Sequence, residues 1–390
     1  MKVVTGLERF HPAGSGKALN ACLVCHQASV DSALQRSADL LASAKGVRLK
    51  WLLGPEHGLY GVEQDMIGVG GGRDGATGLP VESLYGRDES TLGPPKKVLG
   101  SCDTLIFDLQ DIGSRHYTFF ATLVHCMKAC AEAGVRVVVL DRPNPIGGVA
   151  VEGNGVKPGF ESFVGVHNLA VRHGMTMGEL ALMVDDEAGM GCRLEIIPMD
   201  GWRRGMMFAR TGLPWVAPSP NMPTTATALV YPGMCLVEGT NLSEGRGTTR
   251  PFELFGAPFI EPFRLVKKLR SYRLPGVAFR AEWFRPQFHK FAGELCGGAQ
   301  VHVTDPAVFR PYLTGAAVLL AVKTLWPGSF GWRSGAYEFV KDIPAIDLLF
   351  GCDAPRKWIG QGRPLRVFRE FFDDGGAEFC ARRKQYLIYR

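Results

Sequence analysis

Three stretches of this sequence each end in groups that can move a proton or grip an anion. VRLKWLLGPEHG, residues 47–58, is an apolar-rich run closed by a Gly/Pro turn that carries Glu56 and His57. DTLIFDLQDIG, residues 103–113, presents Asp108 and Asp111, with Arg115, His116 and Tyr117 close behind. VRVVVLDRPNP, residues 135–145, ends in Asp141 and Arg142, and Glu152 follows shortly after. Carboxyl groups held beside an imidazole suit general acid–base chemistry. An arginine can hold a carboxylate through two parallel hydrogen bonds. A fourth stretch, residues 231–251, gathers Glu238, Asn241, Glu244 and Arg246 among four glycines. It reads as a loop dense in donors and acceptors, suited to hydroxyl and carboxylate recognition. For any single carboxylate the plainer role is a turn former or half of a structural ion pair. The convergence of several on one edge is the stronger signal.

The elements that would position these groups follow from hydrophobic period and punctuation. Apolar runs at 21–25, 47–53, 103–109 and 135–140 read as buried strands, and helical spacing marks 30–44 and 119–133. Pro143 and Pro145 stiffen the turn after the fourth run and bar further sheet pairing. The pattern β-α-β-loop-β-α-β predicts a doubly wound, Rossmann-like parallel sheet, in which ligands bind beyond the carboxyl ends of the strands. Thr176 and Glu179 form a capping box at the start of a helix reaching about Asp186, and a strand follows at 194–198. His173, just before that helix, reads as a packing residue. The proline-rich run 214–223 marks a crossing between domains, so the expected units are residues 1–220 and a smaller α+β unit over 221–390. In the second unit helices are expected at 263–271 and 309–325, and strands at 277–279 and 299–303.

Two motifs invite other readings. Gly70 to Gly75 fits G-x-G-x-x-G on paper, but neither the strand before it nor the helix after it is present, so a mobile loop is expected rather than a nucleotide site. Cys22 to His26 fits the C-x-x-C-H haem-attachment pattern, but it lies inside an apolar run and reads as buried structural thiols. A net charge of +6 spread without runs argues against nucleic-acid binding and mildly favours anionic substrates. No apolar run reaches the length of a membrane span. No signal peptide is read at the N-terminus, and the scattered cysteines fit reduced thiols, so a cytoplasmic location is the expectation.

Beyond these patterns, GPEHG at 54–58, FDLQDIGSRHYT at 107–118, VLDRPNPIGG at 139–148, SFVG at 162–165, RHGMTMGELA at 172–181, PSPNMPT at 218–224 and EGTNLSEGRGTTRPFELFGAPF at 238–259 occur in one order. In this the chain resembles the NamZ/YbbC family of exo-β-N-acetylmuramidases, from about Leu7 to the terminal YLIY at 386–389. The resemblance implies a Rossmann-like domain, a smaller second domain and an active site in the cleft between them. It implies release of N-acetylmuramic acid from non-reducing ends of peptidoglycan fragments, with no metal or organic cofactor. It carries the leading catalytic role to Glu56, in GPEHG. The chain departs from the family where Cys25-His26 replaces a Thr-Asn segment.

Glycoside hydrolysis needs a carboxylic acid to protonate the leaving oxygen and a second group to handle the oxocarbenium ion. Glu56 is the expected acid, oriented by His57. Glu152, Asp108, Asp111 and Glu238 are candidates for the second role, as is the sugar's own 2-acetamido group. The anionic lactyl ether of muramic acid calls for a cation: Arg246 first, then Arg142 and Arg115, with Asn241 on the same loop for hydroxyls. A carbohydrate-binding protein without turnover, and a nucleotide-binding Rossmann enzyme, are the alternatives from other classes.

Overall fold

The computed structural model describes residues 2–11 and 18–390. Its central sheet has seven strands: β1 (Leu19–Cys25), β2 (Val47–Gly54), β3 (Gly72–Arg73), β4 (Pro80–Ser83), β5 (Thr104–Asp108), β6 (Arg136–Leu140) and β7 (Leu194–Ile197). Their order is β3-β4-β2-β1-β5-β6-β7. Every neighbouring pair is parallel except β3 and β4. The order reverses on either side of β1, as in a doubly wound sheet, and β1 and β5 are buried over nearly their whole length.

A second sheet, antiparallel, is built from β8 (Leu254–Ala257), β9 (Val277–Phe284) and β10 (Cys296–Val303) in the order β8-β10-β9. Behind it, helices 225–234 and 311–325 cross with their backbones almost touching. A Cβ on Gly233 would lie 1.8 Å from the Pro311 carbonyl oxygen, and one on Gly315 would lie 2.1 Å from that of Gly233. Only glycine allows this approach, and it joins the second half to the same continuous core as the sheet.

Helices 119–133, 177–187 and 311–325 fall where periodicity predicts them, whereas helices 225–234 and 365–383 had no such expectation. Helix 119–133 matches its expected bounds, and helix 177–187 begins with the Thr176/Glu179 capping box. Three segments differ. The helix expected over 30–44 forms only over 37–43, because residues 26–36 fold into turns closed by a Val30–Arg36 bridge. The Gly70–Gly75 run, expected as a mobile loop, contributes β3, which pairs with β4 on the sheet edge. The 231–251 loop starts as the last turns of helix 225–234, which tolerates Pro232, and a 3-10 segment over 235–239. Cys22 and Cys25 are buried free thiols. His26 is buried too: its Nδ1 faces the Pro218 carbonyl at 3.2 Å, while its Nε2 accepts from the Gln110 N–H at 3.0 Å. Burial holds that imidazole neutral, with its pKa down at about 3. No helix among the described residues is long and apolar enough to cross a membrane.

Candidate active site

Strand β2 leads directly into the site. After Gly54 the chain makes a tight turn in which the Gly58 N–H reaches the Pro55 carbonyl, with His57 at φ 71° and Gly58 at φ 80°. Left-handed backbone is easy for glycine but costs roughly 1–3 kcal/mol at a non-glycine residue. The turn holds Glu56 over the carboxyl end of the sheet, 4% exposed. Each carboxylate oxygen accepts one hydrogen bond: Oε1 from the Met66 N–H at 3.2 Å and Oε2 from the Thr118 hydroxyl at 2.7 Å. Thr118 occupies the N-cap of helix 119–133 but makes no cap bond there; its hydroxyl is turned to Glu56 instead. His57 is fixed by Nδ1, 2.9 Å from the Glu63 carbonyl.

Glu56 and His57 line an enclosed pocket with Tyr117, Thr118 and Ser219 from the first half and Asn221, Tyr231, Glu238, Arg246, Tyr337 and Glu338 from the second. The space between these side chains is about 460 Å³, but it admits the centres of water molecules over only about 30 Å³.

On the far wall, Arg246 sits among three carboxylates. Its Nη1 donates to Glu238 Oε1 at 2.8 Å and Glu244 Oε1 at 3.0 Å, and its Nε lies 3.2 Å from Asp65 Oδ1. Its guanidinium also stacks 4.9 Å from the Phe252 ring centre. Lys290 and His289 complete the charge balance: Lys290 Nζ is 3.0 Å from Glu244 Oε2, and His289 Nδ1 is 3.2 Å from Glu244 Oε1. Hydrogen bonds to Asp65 and Glu244 raise His289 to about 9. Burial would push Asp65 up, but Arg246 and His289 outweigh it and hold this carboxyl at about 2. Glu238 also accepts from the Tyr337 hydroxyl at 2.8 Å.

Glu338 contrasts with this neutralised cluster. Its one side-chain partner is the Tyr85 hydroxyl, donating to Oε2 at 3.0 Å. Burial first, and then the charge of Glu56, raise its carboxyl well above the ordinary range, against that hydrogen bond. Glu338 and Phe339 are the central residues of a two-residue turn closed by Tyr337 and Val340, with φ 45° and 70°. Turns of this hand favour Asn and Gly, so a Glu-Phe pair there is strained.

The structure brings together Glu56, His57, Glu238 and Arg246, and places the other expected site residues elsewhere. Asp108, expected at the catalytic edge, is fully buried and takes two hydrogen bonds from Arg142, at 2.6 and 2.9 Å, so the two form one internal ion pair. Glu152 caps helix 311–325 from outside it, accepting from the Tyr312 and Leu313 N–H groups at 3.1 and 2.9 Å. Arg115 donates to the carbonyls of Asn154, Leu169 and Leu349. Asn241 ties its loop to Ser329 and Gly331. Asp111 accepts from the Gly113 N–H at 2.6 Å, while its Oδ1 is buried without a partner; burial raises this carboxyl to about 7. His173 packs, with its Nδ1 accepting from the Met175 N–H. Among the described residues no cluster of His, Cys, Asp and Glu is arranged to hold a metal ion.

Sequence reasoning passed over Asp65, Tyr85, Thr118, Tyr337 and Glu338. Asp65 and Tyr85 lie in the Gly- and Pro-rich stretch 61–100, which carries no motif of its own around them. Glu338 follows no strand, and nothing local links it to Glu56.

Residues 21–226 match the family description "Exo-beta-N-acetylmuramidase NamZ, N-terminal", and residues 229–389 match "Exo-beta-N-acetylmuramidase NamZ, C-terminal". The chain belongs to the NamZ family. Within it, the chain is 41% identical over 392 aligned positions to the peptidoglycan beta-N-acetylmuramidase NamZ of Bacillus subtilis (strain 168), covering 100% of this chain and 92% of that relative. Two solved structures of DUF1343 family proteins from Bacteroides fragilis NCTC 9343 share its fold. One has a TM-score of 0.88 and 32% identity, the other 0.76 and 27%, each over 100% of this chain and 99% of the other. The Rossmann-like sheet and the smaller second sheet are therefore the NamZ architecture. The pocket around Glu56 is lined from both matched regions.

Proposed function

We propose that this NamZ-family chain is an exo-acting glycoside hydrolase that releases N-acetylmuramic acid from the non-reducing ends of peptidoglycan fragments. The observation that carries the reading is the enclosed pocket at the end of β2. Its free space is small, which suits one terminal sugar rather than a long chain, and Glu56 stands in it under two directed hydrogen bonds. Glu56 is the catalytic carboxyl group that faces the bound sugar, with His57 beside it. We draw the division of the chain near residue 220, which puts the pocket in the cleft between residues 1–220 and 221–390. No cofactor enters the reaction, and a cytoplasmic site of action fits the buried free thiols.

Recognition of the lactyl carboxylate falls to Arg246. Its Nη1 and Nε face carboxylates, whereas Nη2 has no hydrogen-bond partner among the described residues. That nitrogen is the donor left for a substrate anion.

The test is release of the aglycone from a chromogenic β-N-acetylmuramide by the wild type and by Glu56→Gln. Activity that disappears in the variant supports both the reaction and the residue. Activity that survives keeps the reaction and moves the role to another carboxyl. Binding of muramyl fragments without turnover, in the wild type, would replace the hydrolase with a carbohydrate-binding protein.

A further inference from the structure

Two cavities meet at one residue. The enclosed pocket holds Glu56, and a more open groove of about 820 Å³ runs beside it, past Met66, Tyr85, Arg87 and Lys341. Of the residues lining the two, Glu338 alone belongs to both. On the reading above, the terminal sugar occupies the pocket and the remainder of the fragment leaves through the groove. The bond to be broken then crosses their junction. We propose that Glu338 is the general acid that protonates the leaving glycosidic oxygen, and that Glu56 acts on the sugar side of the same bond.

The hydrogen-bond partners divide the two carboxyl groups in this sense. Glu56 accepts from Thr118 and from the Met66 N–H, an arrangement made for a carboxylate. Among the described residues Glu338 has one donor, Tyr85, which leaves its other oxygen free to carry a proton. Its surroundings keep that proton: burial and the charge of Glu56 raise its pKa, and the more distant Glu238 and Asp65 act in the same direction. On the groove side, the charged groups are Arg87, Asp88, Glu89 and Lys341. A carboxyl held by two donors beside one that keeps its proton is the pattern of a partner and its acid. The strained turn at 338–339 is a further sign that the position is held for its side chain.

The step balances within this pair. The Glu338 proton moves to the glycosidic oxygen while the bond to the anomeric carbon breaks, its electron pair staying on that oxygen. The aglycone departs as an alcohol. A water oxygen then bonds to the anomeric carbon, and the proton it loses returns to the carboxylate pair.

Leaving-group dependence tests the assignment. An activated aryl muramide needs little protonation, whereas a muramyl disaccharide needs it fully. Glu338→Gln should lower kcat/KM on the disaccharide by about 100-fold or more, and on the aryl muramide by less than about tenfold. It should also abolish the basic limb of the disaccharide pH profile. Equal losses on both substrates, or none, would overturn the proposal. Should the glutamine variant melt early, Tyr85→Phe decides the matter. Removing the donor that lowers Glu338 should move the basic limb to higher pH, and an unmoved limb counts against the acid role. Wild-type protein inactive on both muramides would instead remove the underlying hydrolase reading.

Discussion

Glu56 and Asp108 leave two strands that flank the same neighbour, β1, and emerge at the same edge of the sheet. Both are acidic, both are buried, and both follow apolar strands. Their fates differ because of what meets them. Asp108 is met within the sheet domain by Arg142 from the end of β6, and the pair satisfies both members. Glu56 is met by a hydroxyl, a backbone N–H and an open space walled by the second half of the chain. A carboxylate that a cation neutralises is held in place. One that only neutral donors restrain keeps its charge available to a substrate. On the proposed function, partner rather than burial or position distinguishes the structural acid from the chemical one.

Exchanging each acid for its amide should break the comparison most sharply. Glu56→Gln should lower kcat/KM on a muramide by about 100-fold to 10,000-fold, with a melting temperature close to that of the wild type. Asp108→Asn should do the reverse. It leaves the Arg142 guanidinium buried and uncompensated, at a cost of about 3–5 kcal/mol in a denaturant titration, while the folded fraction keeps its turnover. Replacing both partners, as Asp108→Leu with Arg142→Met, should cost less than the single change, since no lone charge remains. A double variant less stable than Asp108→Asn would show the ion pair to be more than mutual neutralisation.

Arg246→Lys sharpens the comparison inside the pocket itself. The charge facing Asp65, Glu238 and Glu244 is kept, but the planar fork is lost. The expected outcome is a larger fall on muramyl than on glucosaminyl substrates, on the order of tenfold in their ratio. Equal falls would place Arg246 with the structural cations. Thr118→Val removes one neutral donor from Glu56 and should cost about 1 kcal/mol of transition-state stabilisation, roughly a fivefold loss in kcat/KM.

The smallest effect concerns Asp111, a buried acid with neither a cation nor a substrate. Its folded pKa is raised to about 7, so the folded protein holds a proton that the unfolded chain releases near pH 4. Its stabilising contribution is full below about pH 4 and is lost as the pH rises through about 7. Asp111→Asn should therefore flatten the fall in melting temperature across that interval. An unchanged slope would assign the fall to other groups.

Much of the sheet was legible because its strands are continuous apolar runs punctuated by Gly, Pro and Asp, and helix 177–187 announced itself by its capping box. The edge strands β3 and β4 were not legible. They are short and rich in Gly and Pro, and they exist only because β2 offers an edge to pair with. The Glu56 turn could be read as a candidate for chemistry from its own residues, since a strand ending in Gly-Pro-Glu-His-Gly carries its signal locally. The role of Glu152 could not be: its carboxylate is defined by the start of a helix some 160 positions later in the chain. Asp108 looked as catalytic as Glu56 until Arg142, 34 positions away, closed on it.

The sequence by itself determined the doubly wound class of the first domain, its main buried strands and Glu56 as a candidate acid at a strand end. These depend on hydrophobic period, turn chemistry and long local motifs, all written in neighbouring residues. The tertiary structure decided which charges are neutralised and which are left open. It placed Glu338 against Glu56 across 282 positions of chain, and it set the closed pocket beside the open groove. Electrostatic partnership acts through space over a few ångströms, and no local pattern encodes which distant segment will arrive there.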